Sequence, residues 1–414
     1  MSALAAWLER QEKSHPSAID LGLTRVREVA RRMGLLTPAH RVITVGGTNG
    51  KGSTVAFVDG FLRAGGKRVG RFTSPHLTRY NERICIDGAE ARDEELIASF
   101  QRIDAARGDI TLTFFEYNAL AALDLFARAK VDVAVLEVGL GGRLDATNII
   151  DADVSVVTSI GIDHVDWLGH SAAGIAREKA GIFRAGRPAV LGSVDMPRSM
   201  FDVIDEVKAR ACLPGRDYQV SAHAQSWDFE FGALQLRGLP RPALAGHLQL
   251  TNAATALAAL VCAGFTLDQD VISRALRDTR IRGRFQVIPG DIEWVLDVAH
   301  NVPAAEALRI NLASLPPRRT QAVCGVLGDK DIAGITAAIA PAIDTWTLTG
   351  LEGPRAISTR DLESHLPAGA VVIARETSVA AACRAALAAA APGERIVVFG
   401  SFLTVGPALE FLGI

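Results

Sequence analysis

The chain reads Val42-Ile-Thr-Val45 and continues as Gly46-Gly-Thr-Asn-Gly-Lys-Gly-Ser-Thr54, and this passage decides how its first half folds. The first four residues are apolar or β-branched and predict a buried strand, while a helical pattern runs from Ser53 to Ala64. Glycines allow successive backbone N–H groups and a helix N-terminus to face phosphate oxygens. A strand, a glycine-rich loop and a helix in this order predict a nucleotide-binding loop in an α/β sheet.

The side chains of this loop are suited to phosphate. Lys51 would reach the outer phosphates, and Ser53 or Thr54 would offer a hydroxyl to phosphate or Mg²⁺. The loop departs from the general pattern because Gly52 follows the lysine directly. A glycine-rich turn that only joins strand to helix is the alternative, but the Gly-Lys pair in this context favours ATP. The expected ATP contacts in the loop are Thr48, Asn49, Gly50, Lys51, Gly52 and Ser53.

Composition excludes several classes of protein. The 414 residues predict two or three domains at roughly 150 residues each. Hydrophobic residues make up 49% of the chain and charged residues 22%, as in globular proteins. Lys and Arg (44) nearly balance Asp and Glu (46), so we expect no nucleic-acid partner, which would require a basic surface.

The location of the protein also follows from composition. The first ten residues already carry charge, which argues against a signal peptide. The longest uncharged apolar stretches fall short of the roughly 18 residues that span a membrane. The five cysteines form no CxxC pair, which indicates reduced thiols. We therefore expect a cytoplasmic protein without a membrane partner.

Strand and helix patterns alternate through both halves of the chain and predict doubly wound α/β domains. A small β insert is expected within residues 217–249, where three short strand patterns follow one another. The expected organisation is a P-loop-type ATPase domain over residues 1–282, a linker over 283–289 and a Rossmann-like C-terminal domain over 290–414. The predicted strands are Arg41–Val45, Val131–Val138, Val154–Ile160, Pro188–Gly192, Glu293–Val298, Ala322–Leu327, Thr345–Leu348, Val371–Ala374 and Arg395–Phe399.

Polar residues follow several predicted strands, at the edge where an open α/β sheet binds its ligands. Glu137 ends one strand, where a carboxylate suits Mg²⁺, although a strand-end cap is an equal alternative. Residues 163–170 hold two aspartates and two histidines after the next strand, and either histidine alone would more often be structural. Asp297, His300 and Asn301 occupy the same position in the second half. These clusters predict that both halves contribute to ligand binding.

Six segments, in this order along the chain, resemble the motifs of a known family. They are Gly47–Ser53, Thr73–His76, Phe115-Glu116, Glu137–Asn148, Glu178–Ile182 and Asp297–Asn301. The chain is similar over nearly its whole length to the bacterial folylpolyglutamate synthase/dihydrofolate synthases of the Mur-ligase superfamily. The unusual Gly-Lys-Gly-Ser loop is the form that this family uses.

The resemblance implies an ATP-dependent amide ligase with ATP and a pair of Mg²⁺ ions. ATP would phosphorylate a carboxylate, and the amine of L-glutamate would attack the acyl phosphate. A carboxylate is a poor electrophile at neutral pH, whereas a mixed anhydride has a good leaving group. The implied acceptors are 7,8-dihydropteroate and reduced folates.

The resemblance also implies roles for single residues. The sequence pattern alone predicts that Lys179 is a solvated lysine on a helix. In the family that the chain resembles, however, the lysine at this position is carbamylated and binds metal. The implied metal ligands are Ser74, Glu137, His164 and Lys179 as its carbamate. The implied catalytic residues are Lys51, His164, Lys179 and His300, with His300 and Asn301 orienting the nucleotide or glutamate. The implied ATP contacts beyond the loop are Asn252, Arg284 and Asp297.

Three segments match the pterin-contact positions of the family. Flat aromatic faces and a carboxylate suit a pterin, which stacks and offers N–H donors. Phe114 or Phe115 is expected to be core, because neighbouring residues on a helix cannot both face one pocket. The implied substrate contacts are Asp20, Leu21, Thr113, Phe114, Phe115, Glu116, Leu144, Asp145 and Ala146.

Three alternatives remain from the sequence. The nearest is a folylpolyglutamate synthase without the dihydropteroate activity. A peptidoglycan-type Mur ligase usually carries a separate N-terminal domain, for which the loop at Gly46 leaves little room. A nucleotide switch would explain the loop but not the cluster from Asp297 to Asn301. We expect a monomer, since the sequence shows no obvious exposed apolar helix.

Overall fold

The computed structural model describes residues 2–414, which divide into two units. The first unit contains residues 2–76, 80–243 and 250–279, and the second contains residues 77–79, 244–249 and 280–414. The predicted functional boundary at 283–289 stays a prediction. No helix among residues 2–414 has the length and apolar character that would let it span a membrane.

An eight-stranded sheet forms the centre of the first unit. Its spatial order is β4-β3-β2-β5-β1-β6-β7-β8, with β3 and β4 antiparallel at one edge and the other strands parallel. The strands are β1 (Arg41–Gly46), β2 (Val69–Phe72), β3 (Ile84–Ile86), β4 (Ala89–Glu90), β5 (Val133–Glu137), β6 (Val154–Val157), β7 (Pro188–Leu191) and β8 (Arg210–Cys212). The strand before the glycine-rich loop is therefore central.

Helices cover both faces of this sheet, as parallel strands require. Phe100 and Phe126 pack on one face, and Ala176 and Met200 belong to a separate core cluster with strand residues Val157 and Leu191. The helices are α1 (Ala3–Glu12), α2 (Thr24–Arg32), α3 (Lys51–Ala64), α4 (Asp93–Arg107), α5 (Phe114–Ala129), α6 (Val165–Leu168), α7 (Ala172–Ala180), α8 (Arg198–Val207), α9 (Gln249–Cys262) and α10 (Gln269–Asp278).

The predicted β insert is confirmed as a three-stranded antiparallel sheet. Trp227 and Phe229 alternate with polar residues and are fully buried, so one face of the insert packs inward. Its strands are β9 (Tyr218–Ala222), β10 (Ser226–Phe231) and β11 (Leu234–Pro240).

The second unit contains a six-stranded sheet in the order β12-β13-β17-β14-β15-β16, parallel except for β12. Two apolar clusters, around Trp346 and Val398, cover its faces. Its elements are β12 (Gln286–Ile288), β13 (Glu293–Asp297), α11 (Val302–Ala313), β14 (Thr320–Cys324), α12 (Ile332–Ile339), β15 (Thr345–Thr349), α13 (Thr359–Ser364), β16 (Val372–Glu376), α14 (Val379–Ala389), β17 (Arg395–Phe399) and α15 (Phe402–Phe411). The predicted α/β fold class is confirmed in both units.

The sequence prediction was wrong in some details. It extended β6 to Ile160, but the chain leaves the sheet after Val157, and Thr158 and Ser159 bind the glycine-rich loop instead. It placed β14 at Ala322–Leu327, whereas the strand ends at Cys324. It missed the short strands β2, β3, β4, β8 and β12, which have too few residues for a clear period.

A nearly buried ion pair joins the first residues of the neighbouring strands β13 and β17. Arg395 Nε donates to Glu293 Oε1 at 2.6 Å, with 3% of the arginine side chain and 11% of the glutamate side chain exposed. An unpaired buried charge is costly, so Glu293→Gln should lower the free energy of unfolding by about 3–5 kcal/mol. Urea denaturation of the full chain measures this change.

The matched control removes an exposed ion pair in the same unit. Arg355→Gln breaks the pair with Asp329, in which 55% of the arginine side chain is exposed. We expect a change of about 0–1 kcal/mol for this variant. Equal effects of the two substitutions would show that burial does not set the strength of the Glu293–Arg395 pair.

Candidate functional site

The glycine-rich loop between β1 and α3 is held by the segment that follows β6. Thr158 Oγ1 and Ser159 Oγ both donate to the backbone oxygen of Asn49, at 2.6 and 3.0 Å. Thr48 Oγ1 donates to the oxygen of Gly161 at 3.1 Å and accepts from its N–H at 3.0 Å. These hydrogen bonds satisfy polar groups of Thr48 and Asn49 on the side of the loop that faces the end of β6. The loop is therefore held in place before any ligand binds.

Two glycines in the loop have conformations that other residues rarely adopt. Gly47 has φ of 138°, and a Cβ there would lie 1.9 Å from Thr158 Oγ1. Gly50 has φ of 87°, and its Cβ would lie 2.7 Å from Asn252 Oδ1. Asn252, a predicted ATP contact on α9, therefore lies directly against the loop.

Two lysines converge on one backbone oxygen of the loop. Lys51 Nζ and Lys179 Nζ each donate to the oxygen of Gly47 at 3.0 Å, and Lys51 also donates to Thr48. Burial, assisted by the charge of Lys51, lowers the pKa of Lys179 to about 7, and Asp163 and Asp145 oppose this shift. The neutral amine of Lys179 is thus populated near pH 7. The expectation of a solvated lysine, drawn from the sequence pattern alone, is wrong, since only 5% of Lys179 is exposed.

Glu137 and Ser74 lie together at the ends of β5 and β2. Glu137 is 3% exposed, and its Oε2 accepts from the backbone N–H of Ser74 at 3.3 Å. His164 lies in a left-handed conformation (φ of 52°) at the start of α6, and its N–H donates to Asp163 Oδ1 at 2.8 Å. Within residues 2–414, no three His, Cys, Asp or Glu side chains form a group that could hold a metal. The predicted ligand set has only Glu137 and His164 of those types, so this finding does not test it.

Asp145 is engaged within its own loop. Its carboxylate accepts from the N–H groups of Gly139 and Leu140, and from the N–H and hydroxyl of Thr147, at 2.6–3.0 Å. Burial raises the pKa of Asp145 above its ordinary value, and these four donors oppose the shift. The side chain therefore shapes the loop that carries Leu144 and the buried Ala146.

Thr113 and Glu116 form a capping box at the start of α5. Thr113 Oγ1 accepts from the N–H of Glu116 at 3.2 Å, and Glu116 Oε2 accepts from the N–H of Thr113 at 2.7 Å. Phe114 and Phe115 are both only partly buried. Phe115 lies against Gly139 and its ring centre is 5.8 Å from that of Phe72, while Phe114 meets Tyr80 edge-on. The two rings point to different neighbours, but the expectation that one of them is a core residue is wrong, since both are only partly buried and pack at the edge of the core cluster.

Asp20 and Leu21 lie in the segment between α1 and α2. Asp20 Oδ2 accepts from Arg25 Nη1 at 2.7 Å, and Arg25 Nη2 lies 3.2 Å from Glu116 Oε1. The structure therefore joins two of the predicted substrate segments through Arg25. Sequence reasoning missed the link from Arg25 to Glu116, which lies 91 residues away. It also missed Thr158, Ser159 and Gly161, whose partners in the glycine-rich loop lie 109 to 113 residues away.

In the second unit, Asp297 closes the turn after β13. Its oxygens accept from the N–H groups of Phe285 at 2.7 Å and Ala299 at 2.8 Å. Burial raises the pKa of Asp297, while the charges of Arg284 and His300 oppose the shift. His300 Nδ1 lies 2.8 Å from the oxygen of Val298, which places the proton on Nδ1.

Two further contacts complete this cluster. The Arg284 guanidinium lies 5.3 Å from the ring centre of Phe402, and the His300 ring lies 6.0 Å from it. Asn301 caps α11 by accepting from the N–H of Ala304 at 3.0 Å. The structure thus brings together the predicted residues of the second unit.

Both halves of the chain match known domain families. Residues 45–260 match the Mur ligase middle domain, and residues 283–402 match the Mur ligase glutamate ligase domain. A dihydrofolate synthase/folylpolyglutamate synthase of Escherichia coli strain K12 is 45% identical over 99% of this chain and 96% of its own length.

Solved structures are similar over the whole chain. E. coli FolC in complex with DHPP and ADP has a TM-score of 0.95 and 45% identity, covering 100% of this chain and 98% of that one. A bifunctional folylpolyglutamate synthase/dihydrofolate synthase with Mn, AMPPNP and L-glutamate bound has a TM-score of 0.93 and 45% identity, covering 100% and 99%. The family resemblance inferred from the motifs is confirmed.

The Gly47 geometry leads to a direct test of the loop. In Gly47→Ala the new methyl group would overlap Thr158 Oγ1 and force the loop to move. Strain of about 1–3 kcal/mol at such a position corresponds to a loss of affinity for an ATP analogue of roughly 5- to 150-fold. Titration with a fluorescent ATP analogue measures the loss.

Gly66→Ala is the matched control at the other end of α3. Gly66 also has a positive φ, of 77°, but its Cβ would meet nothing within 4 Å. We expect unchanged affinity for the analogue in this variant. Unchanged affinity in Gly47→Ala as well would show that the loop does not bind the nucleotide.

Proposed function

The chain belongs to the dihydrofolate synthase/folylpolyglutamate synthase family of Mur ligases, and on this premise we propose that it joins L-glutamate to 7,8-dihydropteroate and to reduced folates. ATP is the co-substrate, and the products are an amide, ADP and phosphate. The observation that carries the proposal is the glycine-rich loop with Lys51 and Lys179 on one carbonyl. The ADP, DHPP, AMPPNP and L-glutamate in similar structures support the same chemistry.

The chain's own residues supply positioning and charge. The loop N–H groups and the N-terminus of α3 would bind the phosphates, and Lys51 would leave the oxygen of Gly47 to neutralise the transferred phosphoryl group. The acceptor carboxylate attacks the γ-phosphorus and ADP leaves. The amine of glutamate then attacks the acyl carbon, the phosphate leaves, and the amine loses a proton. Holding the reactants in line lowers the entropic part of the barrier.

The residues near the loop fit Mg²⁺. Glu137 is a hard oxygen donor at the strand ends, and Mg²⁺ needs few protein ligands because it keeps waters and phosphate oxygens. When bound, Mg²⁺ would neutralise charge on the phosphates. The proposed ligands of the two ions are Ser74, Glu137, His164 and the carbamate of Lys179. The buried, partly neutral Lys179 suits carbamylation, since only a free amine reacts with carbon dioxide.

The remaining assignments follow the family resemblance. Asn252, Arg284 and Asp297 are proposed ATP contacts, and His300 is proposed to orient the nucleotide or glutamate. Asp20, Leu21, residues 113–116 and residues 144–146 are proposed to bind the pterin-containing acceptor. We propose that residues 1–282 form the ATPase domain, residues 283–289 the linker and residues 290–414 the glutamate-ligase domain. The cytoplasmic location and the monomeric state also stay proposals.

Release of phosphate tests the proposed function. We expect release that depends on ATP, Mg²⁺ and L-glutamate, both with 7,8-dihydropteroate and with tetrahydrofolate. Release with tetrahydrofolate alone would leave a folylpolyglutamate synthase and remove the dihydropteroate assignment. Release with neither acceptor would favour another Mur-type ligase, and release without an amino acid would favour a nucleotide switch.

Lys51→Ala should reduce kcat by roughly 100-fold or more, because it removes a charge that stabilises the transferred phosphoryl group. Steady-state phosphate release measures the change. Lys67→Ala is the control, since Lys67 is exposed beyond the other end of α3. A kcat for Lys51→Ala close to that of the unaltered protein would contradict the assignment of the loop.

Lys179→Ala should also reduce kcat by roughly 100-fold, since it removes the proposed carbamate. Short carboxylates such as formate should restore part of the activity. Because the pKa of Lys179 is lowered to about 7, the unaltered protein should lose carbamate as pH falls from 8 to 6 and the amine becomes protonated. Intact-protein mass spectrometry in bicarbonate detects the carbamate, and its absence from active protein would contradict this role.

A further inference from the structure

A cluster of four charged or titratable side chains lies in the first unit, apart from the glycine-rich loop. Arg25 Nη1 lies 2.7 Å from Asp20 Oδ2, and Arg25 Nη2 lies 3.2 Å from Glu116 Oε1. His15 Nε2 lies 3.3 Å from the same oxygen of Asp20. The guanidinium therefore bridges two carboxylates that belong to different segments of the chain.

The segment that holds Asp20 has little structure of its own. It lies between α1 and α2, and no backbone–backbone hydrogen bond holds residues 15–22 in the described chain. Arg25 supplies side-chain contacts instead: besides its ion pair with Asp20, its Nη2 donates to the backbone oxygen of Asp20 at 3.1 Å. His15 Nδ1 also lies within 3.2 Å of the backbone N and O of Ser17, so the position of Asp20 depends on the side chains of Arg25 and His15.

The other end of the bridge is rigid. Glu116 is 3% exposed, and its second oxygen caps the start of α5 through the N–H of Thr113. Arg25 is itself partly buried, with 26% of its side chain exposed and a buried Nε that has no hydrogen-bond partner. The guanidinium thus ties a loosely held segment to a fixed helix terminus.

This arrangement identifies which end of the acceptor would bind here. The carboxylate of the acceptor must reach the phosphate of ATP, and two acidic side chains would repel it. A pterin ring offers N–H donors, which carboxylate oxygens accept. Arg25 cannot readily bind the acceptor's carboxylate, since both its terminal nitrogens already contact Asp20 or Glu116.

We propose that Arg25, anchored on Glu116, is a positioning residue that holds Asp20 as an acceptor for the pterin ring of the substrate. The inference rests on the proposed function, which assigns a pterin-containing acceptor to these segments. Burial raises the pKa of Glu116, while the hydrogen bond from the N–H of Thr113 and the charge of Arg25 oppose this shift. Arg25 therefore links the position of Asp20 to that of Glu116.

The experiment compares Arg25→Gln with the unaltered protein and with Arg27→Gln, an exposed arginine on the same helix. Affinities are measured by fluorescence titration for 7,8-dihydropteroate, for 6-hydroxymethyl-7,8-dihydropterin and for an ATP analogue. The second probe has the pterin ring but no carboxylate. We expect Arg25→Gln to weaken both pterin probes by a similar factor of roughly 10 to 100, with unchanged ATP-analogue affinity. Arg27→Gln should match the unaltered protein.

Other outcomes overturn the proposal. Unchanged binding of both pterin probes to Arg25→Gln would show that the bridge does not matter, and a loss confined to dihydropteroate would place Arg25 at the carboxylate end. If Arg25→Gln fails to fold, Arg25→Lys takes its place, since lysine keeps the charge but cannot bridge two carboxylates in the same way. If the unaltered protein binds neither pterin probe, the proposed function fails first and the inference with it.

Discussion

The contact on which the site depends is the sharing of one carbonyl oxygen, that of Gly47, by the ammonium groups of Lys51 and Lys179. Two like charges held together in a buried place are unfavourable unless one is neutralised or an anion arrives. The lowered pKa of Lys179 is one response of the protein to this constraint. Binding of an anionic phosphate would be a second response to this constraint. The same geometry thus explains why the loop suits a nucleotide.

The strand order of the eight-stranded sheet brings the functional groups of the site together. In the parallel register Val45 of β1 lies beside Glu137 of β5, and Gly46 lies beside Val157 of β6. The glycine-rich loop, the acidic strand end and the hydroxyls after β6 therefore share one edge of the sheet. A chain with the same motifs on strands in another order would not bring them together.

The substrate segments depend on side chains rather than on the sheet. The capping box of α5 fixes Glu116, and Arg25 extends that fixed point to the segment around Asp20. Asp145 holds its own loop through four donors. Each segment is thus positioned before binding, which reduces the ordering that a ligand would otherwise have to cause.

The sequence by itself determined the local features: the strand, loop and helix around Lys51, the α/β alternation of both halves, the antiparallel insert and the motifs of the family. These depend on residues close together in the chain, where periodicity and glycine conformation act. Tertiary structure alone decided that Ser159 holds Asn49 from 110 residues away, and that Arg25 joins Glu116 from 91 residues away. It also decided that Lys179 is buried beside Lys51, because desolvation and charge proximity depend on the packing of distant segments.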